Sequence, residues 1–412
     1  MKPSSSLSLL LALALGSPSL WAKAHLLSPL PLPHQEAINI ETEPCDEACL
    51  YRLDKEEKVF SFIARFHPGI TSEALRARLA ILMEENDIHA APFYMVKKSR
   101  SKLEIALLVP KKSIGRYSVT TIDTILAYLV SKEGAFSFEV FDSQDESATS
   151  LAKAIQKVES KGFDYAIALV THQGASELVK LSLKIPLYIP SVHQKQVLQA
   201  GTPPKNIFFG GIDYEAQIRA LLPYAKGSTV SLYNDDSYIG QKIGEYVKLA
   251  GAQVGFEESF SNTKAAEFNK GVKSQGRFIQ GSSVFLNTPI VKSSLILSQF
   301  TYNGYKPSDI LSTQINYNHS LLSLTQPKDR ENLYIANSIG EASREIIEYS
   351  AILKSDLQYD WINYSTSLGV EYFYRTVFPE AIPYFNEKLE GNQVNYPIRL
   401  YQTKPDRFIP IN

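Results

Sequence analysis

Short apolar runs of strand length alternate along this chain with amphipathic stretches of helix length, and the alternation is begun twice. The first series opens with Leu103–Val109, closed by Pro110, and continues through a helix face of Ile122, Ile125, Leu126 and Leu129 to a strand at 136–141. A helix carrying Leu151, Ile155 and Val158 follows. Then come a strand at 165–170, a helix at 176–183 and a short strand at 186–190. The run 165–170 is apolar at every position, which suits a strand buried on both faces. Strands separated by helices must pair in parallel, with right-handed crossovers, so this series specifies one doubly wound α/β sheet.

The second series starts after Lys226-Gly227. It has a strand at 229–233, a helix face of Ile239, Ile243, Val247 and Ala250 ended by Gly251, and further strands at 252–256, 283–287 and 310–313. A helix at 289–300 lies among them. Two late helices, 341–353 and 360–378, and a strand at 398–402 complete the pattern. The length of 412 residues exceeds what one hydrophobic core usually serves, so the two series read as two domains.

What precedes them is different in kind. Lys2, an apolar run at 7–15 and Ala22-Lys23-Ala24 have the layout of a signal peptide over 1–24, cleaved before His25. The run is far shorter than the roughly 20 residues of a membrane span. The mature chain is therefore expected in an extracytoplasmic space, a bacterial periplasm being the natural one, with no membrane insertion. Residues 25–44, with Pro29, Pro31, Pro33 and Pro44, read as an extended linker. Residues 45–99 read as a small helical module, with Leu50, Leu53, Val59, Phe60, Ile63, Leu75, Leu79, Leu82 and Met83 at broken helical spacing. Both cysteines, Cys45 and Cys49, fall at its start. In an oxidising compartment they can close a local disulfide; free thiols or two ligands of a metal site are the alternatives, and His67 and His89 lack the spacing to complete such a site.

With 42 basic and 43 acidic residues spread without long blocks, the chain has no electrostatic footprint for nucleic acid or an anionic membrane surface. It also lacks G-x-x-x-x-G-K-[ST], G-x-G-x-x-G, G-x-S-x-G and H-E-x-x-H. Ser150-Leu151-Ala152-Lys153 matches S-x-x-K by chance, on an amphipathic helix without companion motifs. The expectation is a non-enzymatic protein with no cofactor and no metal.

Several segments, taken in order, resemble the type I periplasmic binding proteins of the leucine-binding kind: Leu108-Val109-Pro110, the acidic turn of Val140 to Asp145, Gly162 to Ile167, Val170-Thr171 with Gly174-Ala175, and Tyr233 to Gly240. The resemblance covers about residues 100–402. It implies two Rossmann-like lobes with parallel sheets joined by three hinge crossings, lobe one from 100–227 and 338–390 and lobe two from 228–337 and 391–412. A similar fold occurs in the lipoprotein activators of peptidoglycan synthases, where a helical part precedes the binding-protein-like domain. Ligands of open parallel sheets sit beyond the carboxyl ends of the strands. The residues to inspect there are Thr171, His172, Ser191 and His193 in lobe one and Asp236, Tyr238 and Asn287 in lobe two. By the resemblance, Thr171 and Ser191 would meet a ligand carboxylate and Tyr238 would close over it. The turn Pro190-Ser191-Val192-His193 is bulkier than the family's. Each residue also has a plain structural reading: Asp235 and Asp236 as helix caps, and His172 and His193 as hydrogen-bonded surface groups more often than as a metal site or a pH-sensitive pair. Two functions follow. The first, which the polar strand-end residues favour, is a receptor closing over a small polar ligand, amino-acid-like, for a transporter. The other is a scaffold or regulator of a cell-envelope enzyme or machine, which the extra helical module favours.

Overall fold

The computed structural model describes residues 45–67, 69–86, 102–115, 117–198, 204–261 and 268–411. The expected signal peptide, linker and last part of the module lie outside these residues. The chain divides into two compact units, residues 1–100 and 101–412.

In the first unit, α1 (Glu47–Lys55), α2 (Val59–Arg65) and α3 (Glu73–Glu85) close around Leu50, Phe62, Ile63, Leu75 and Leu79. Asp46 caps α1 by accepting the Cys49 N–H at 2.9 Å. The Glu47 carboxylate accepts the N–H groups of Thr71 and Ser72, both at 2.8 Å, and so ties α1 to the start of α3. Cys45 and Cys49 are joined in a disulfide, which settles the choice left open by the sequence. So small a loop removes little chain entropy, about 2 kcal/mol. The paired Cys45→Ser and Cys49→Ser variant is therefore expected to lose about that much local stability. Pulse proteolysis would show this as earlier cleavage of the module, with the larger unit unchanged.

The second unit contains, among the described residues, two seven-stranded sheets. The first is built from β1 (Leu103–Val109), β2 (Phe136–Asp142), β3 (Tyr165–Ala168), β4 (Leu187–Ile189) and β5 (Ile207–Phe209), all parallel. The second is built from β6 (Val230–Asp235), β7 (Val254–Phe260), β8 (Ser283–Asn287), β9 (Asp309–Ser312) and β10 (Leu333–Asn337), again parallel. The late strands β11 (Lys388–Glu390) and β12 (Gln393–Asn395) extend the first sheet, and β13 (Arg399–Thr403) and β14 (Phe408–Pro410) the second. Helices cover both faces of each sheet. In lobe one these include α4 (Tyr117–Val130), α5 (Ala148–Ser160), α6 (His172–Leu178) and α7 (Gln194–Val197); in lobe two, α8 (Tyr214–Leu221), α9 (Tyr238–Leu249) and α10 (Ile290–Tyr302). The chain then returns to lobe one for α11 (Arg344–Ile352) and α12 (Trp361–Val377), which pack on α4.

The strand β1 shows why its sequence has no polar face. Leu103, Ile105, Leu107 and Val109 enter one core and Ala106 and Leu108 the other, so both sides of the pleat are buried. The same split divides Val284 and Leu286 from Phe285 on β8.

Three crossings join the lobes, at 210–213, 338–343 and 396–398. Two expected boundaries move. The helix α8, placed in lobe one by the sequence, packs on α9 and β10 of the second sheet, so the first crossing precedes it. β12, assigned to lobe two, pairs with β5 of the first sheet. Its short run Gln393-Val394-Asn395 carries too little pattern to choose a sheet.

Candidate functional site

The carboxyl ends of β3 and β4 present the lobe-one candidates. Thr171 follows β3 in extended conformation and caps α6, its Oγ1 accepting the Gln173 N–H at 3.2 Å. The helix therefore begins at His172, earlier than the sequence pattern placed it. Thr171 also donates its N–H at 2.6 Å and its Oγ–H at 2.5 Å to the carboxylate of Glu146. Glu146 is buried, 5% exposed, at the turn between β2 and α5. Gly174 lets it in: a Cβ there would stand 2.8 Å from Glu146 Oε1. A carboxylate of the chain itself thus rests against the backbone amide and hydroxyl that the resemblance assigns to a ligand's carboxylate.

The neighbouring candidates are also engaged. Ser191 donates its hydroxyl to the Val170 carbonyl at 2.5 Å, tying the ends of β3 and β4. His172 donates from Nε2 to the Gln196 carbonyl at 2.9 Å, and its ring stacks on Tyr238 of lobe two, with centroids 3.8 Å apart and planes at 24°. His193 caps α7 in a reciprocal box: its Nδ1 accepts the Lys195 N–H at 3.1 Å, and its own N–H goes to Gln196 Oε1 at 2.8 Å. Its Nε2 stands 3.8 Å from Asp213 Oδ2, too far for a direct hydrogen bond, while Lys195 Nζ reaches that carboxylate at 2.7 Å. Burial holds the His193 ring down to about 4, against the upward pull of Asp213, so it is neutral at pH 7.

In lobe two, Ser237 caps α9 and places Tyr238 as its first residue, 40% exposed on the side toward His172. Asp236 is half exposed, 3.9 Å from Lys292 Nζ. The buried partner of that lysine is Asp235, which also accepts the Ser237 N–H at 3.0 Å. Asn287 turns into the lobe. It lies in register with Asn234 on the adjacent strand and donates to Asn234 Oδ1 at 2.8 Å, and Asn234 donates on to Glu257 at 2.9 Å.

A second meeting of the lobes, unforeseen in the sequence, surrounds Tyr359, just before α12. Its carbonyl accepts Asn318 Nδ2 at 3.2 Å, and its ring lies 5.6 Å from Tyr317 and 6.1 Å from Phe408. Near the second and third crossings a pocket of about 270 Å³ is lined by Gly340, Glu341, Glu387, Lys388 and Arg399, among others. Among the described residues no three His, Cys, Asp or Glu side chains are placed to share a metal ion, and no helix is long and apolar enough to cross a membrane.

No protein-family model and no curated protein matches the sequence. Solved structures do match the fold, among them several binding proteins. A branched-chain amino acid ABC transporter protein from Thermus thermophilus with bound valine is 17% identical, with a TM-score of 0.57 over 76% of this chain and 95% of its own. A solute-binding protein from R. palustris in complex with benzoate is 12% identical, TM-score 0.56, over 75% and 95%. A leucine-binding protein from Thermotoga maritima is 13% identical, TM-score 0.52, over 76% and 97%. The fold of this chain is that of the type I periplasmic binding proteins.

Proposed function

We propose that this chain is a non-enzymatic, binding-protein-like scaffold of the bacterial cell envelope, which works through protein contacts with an envelope enzyme or machine and whose lobes are held together by its own side chains. The observation that carries this reading is Glu146, whose carboxylate takes both the N–H and the Oγ–H of Thr171. The contact of His172 with Tyr238 supports it, because the lobes meet there ring to ring. Ser191 likewise spends its hydroxyl, and His193 its Nδ1, on local backbone. The helical module of the first unit would supply a further contact surface, and export through the amino-terminal segment would bring the chain to the periplasm.

The second reading, a receptor for a small polar ligand of a transporter, is favoured by the neighbours that carry valine and benzoate. A thermal-shift titration separates the two. A ligand at 100 times its Kd stabilises a receptor by about 2.7 kcal/mol, a shift of several degrees. With valine, leucine, isoleucine and benzoate at millimolar concentration the expected result is no shift. A saturable rise with any of them would overturn the scaffold and establish the receptor.

A further inference from the structure

His172 and His193 are linked by one short turn of helix. His193 caps α7, and Gln196 of the same turn both accepts the His193 N–H on its side chain and offers its carbonyl to His172 Nε2. One histidine faces the opposing lobe through Tyr238; the other faces the first crossing. That crossing is tightly fitted. A Cβ on Gly211 would stand 2.0 Å from the Val192 carbonyl carbon and 2.1 Å from the His193 nitrogen. The charged groups about the His193 ring are Lys195 on α7 and, from the start of α8 in lobe two, Asp213 and Glu215. Gln393 of β12, which accepts the Gln194 N–H at 3.0 Å, adds no charge.

We infer that His193 is an acid-sensitive hinge pin: proton uptake there loosens the 210–213 crossing and, through α7 and Gln196, frees His172 from Tyr238, so that the lobes part as the surroundings acidify. The sign follows from burial. The enclosed ring is neutral, pushed down to about 4 chiefly by loss of solvent, whereas a ring freed by opening regains its ordinary value near 6.5. The closed form is therefore undisturbed above about pH 6.5 and loses ground as pH falls toward 4, by about 30-fold at pH 5. Lys195 disfavours the proton and Asp213 favours it.

This inference rests on the reading of the lobes as self-held, and its test is independent of the ligand titration. Spin labels at Lys157→Cys in lobe one and Leu249→Cys in lobe two of the full chain report the separation of the lobes by pulsed dipolar spectroscopy. The expected result is one short distance at pH 7.5 and a growing longer one toward pH 5, with far-ultraviolet dichroism unchanged. His193→Asn, which keeps an acceptor for the Lys195 N–H, should stay short throughout. Asp213→Asn, which removes the group favouring the proton in the closed form, should open at pH 5 to within about a tenth of the wild-type extent, since the closed ring is already almost wholly neutral there. A wild-type distance unchanged down to pH 5, or the same opening in His193→Asn, would overturn the hinge pin. If valine shifts the melting temperature while acid opening persists, the scaffold reading falls and the pin stands.

Discussion

Glu146→Ala is expected to destabilise the two-lobed unit by about 3 kcal/mol, and added acetate is expected to recover part of the loss. The carboxylate accepts two hydrogen bonds from Thr171 and is 5% exposed. Truncation leaves the amide and hydroxyl of Thr171 without their partner, and because that residue is exposed water replaces part of what is lost, so the two together cost about 1–3 kcal/mol. It also vacates space beside Gly174, which the carboxylate adjoins. Urea denaturation would read the loss as a lower midpoint. Acetate carries the same two oxygens and is small enough for the vacated space, so a midpoint that rises with acetate but not with chloride would identify the Thr171 groups as carboxylate receptors. A loss under about 0.5 kcal/mol would mean that Glu146 does not hold this end of β3.

That contact shows where reading the sequence stops. Thr171, His172, Ser191, His193 and Tyr238 were legible as residues beyond strand ends, because the apolar runs before them fix where each strand must finish. Their partners were not. Glu146 lies 25 residues from Thr171, in an acidic turn whose composition serves equally well for capping α5, and only the pairing of β1 between β2 and β3 brings the two turns together. Asn287 was an expected strand-end group for the same reason, but residues in register on adjacent strands share a face, and its partner there is Asn234. For α8, Ile218 and Leu221 announce burial without naming the sheet that receives them. The fold was legible since burial on both faces leaves a continuous signal along the chain. Side-chain pairing across the cleft leaves none.

The larger effect is expected at Lys292. Its ammonium, from the first turn of α10, meets the Asp235 carboxylate and the Phe260 carbonyl, the latter at 3.0 Å, with lysine and aspartate side chains only 12% and 7% exposed. Lys292→Ala would leave a buried carboxylate beside the half-exposed Asp236, at a cost of about 3–5 kcal/mol. The double variant Lys292→Met with Asp235→Asn removes both charges and should recover most of that loss, so a double-mutant cycle would show strong coupling. Acid narrows the contrast. In the native chain burial pushes the Asp235 carboxyl up, but Lys292 and the bonds from Ser237 outweigh it and hold it below its ordinary 3.8. The pair's contribution is therefore present above about pH 4 and lost as pH falls below that. Without Lys292 burial is opposed only by the bonds from Ser237, so the carboxyl sits higher than in the native chain and less stability is lost on protonation. Between pH 5 and 3 the variant should lose less stability than the native chain. Because Asp235 also accepts the Ser237 N–H that begins α9, the same substitution would loosen Tyr238 and lengthen the interlobe distance at pH 7.5. Parallel pH slopes in the two proteins would show that Lys292 does not neutralise Asp235.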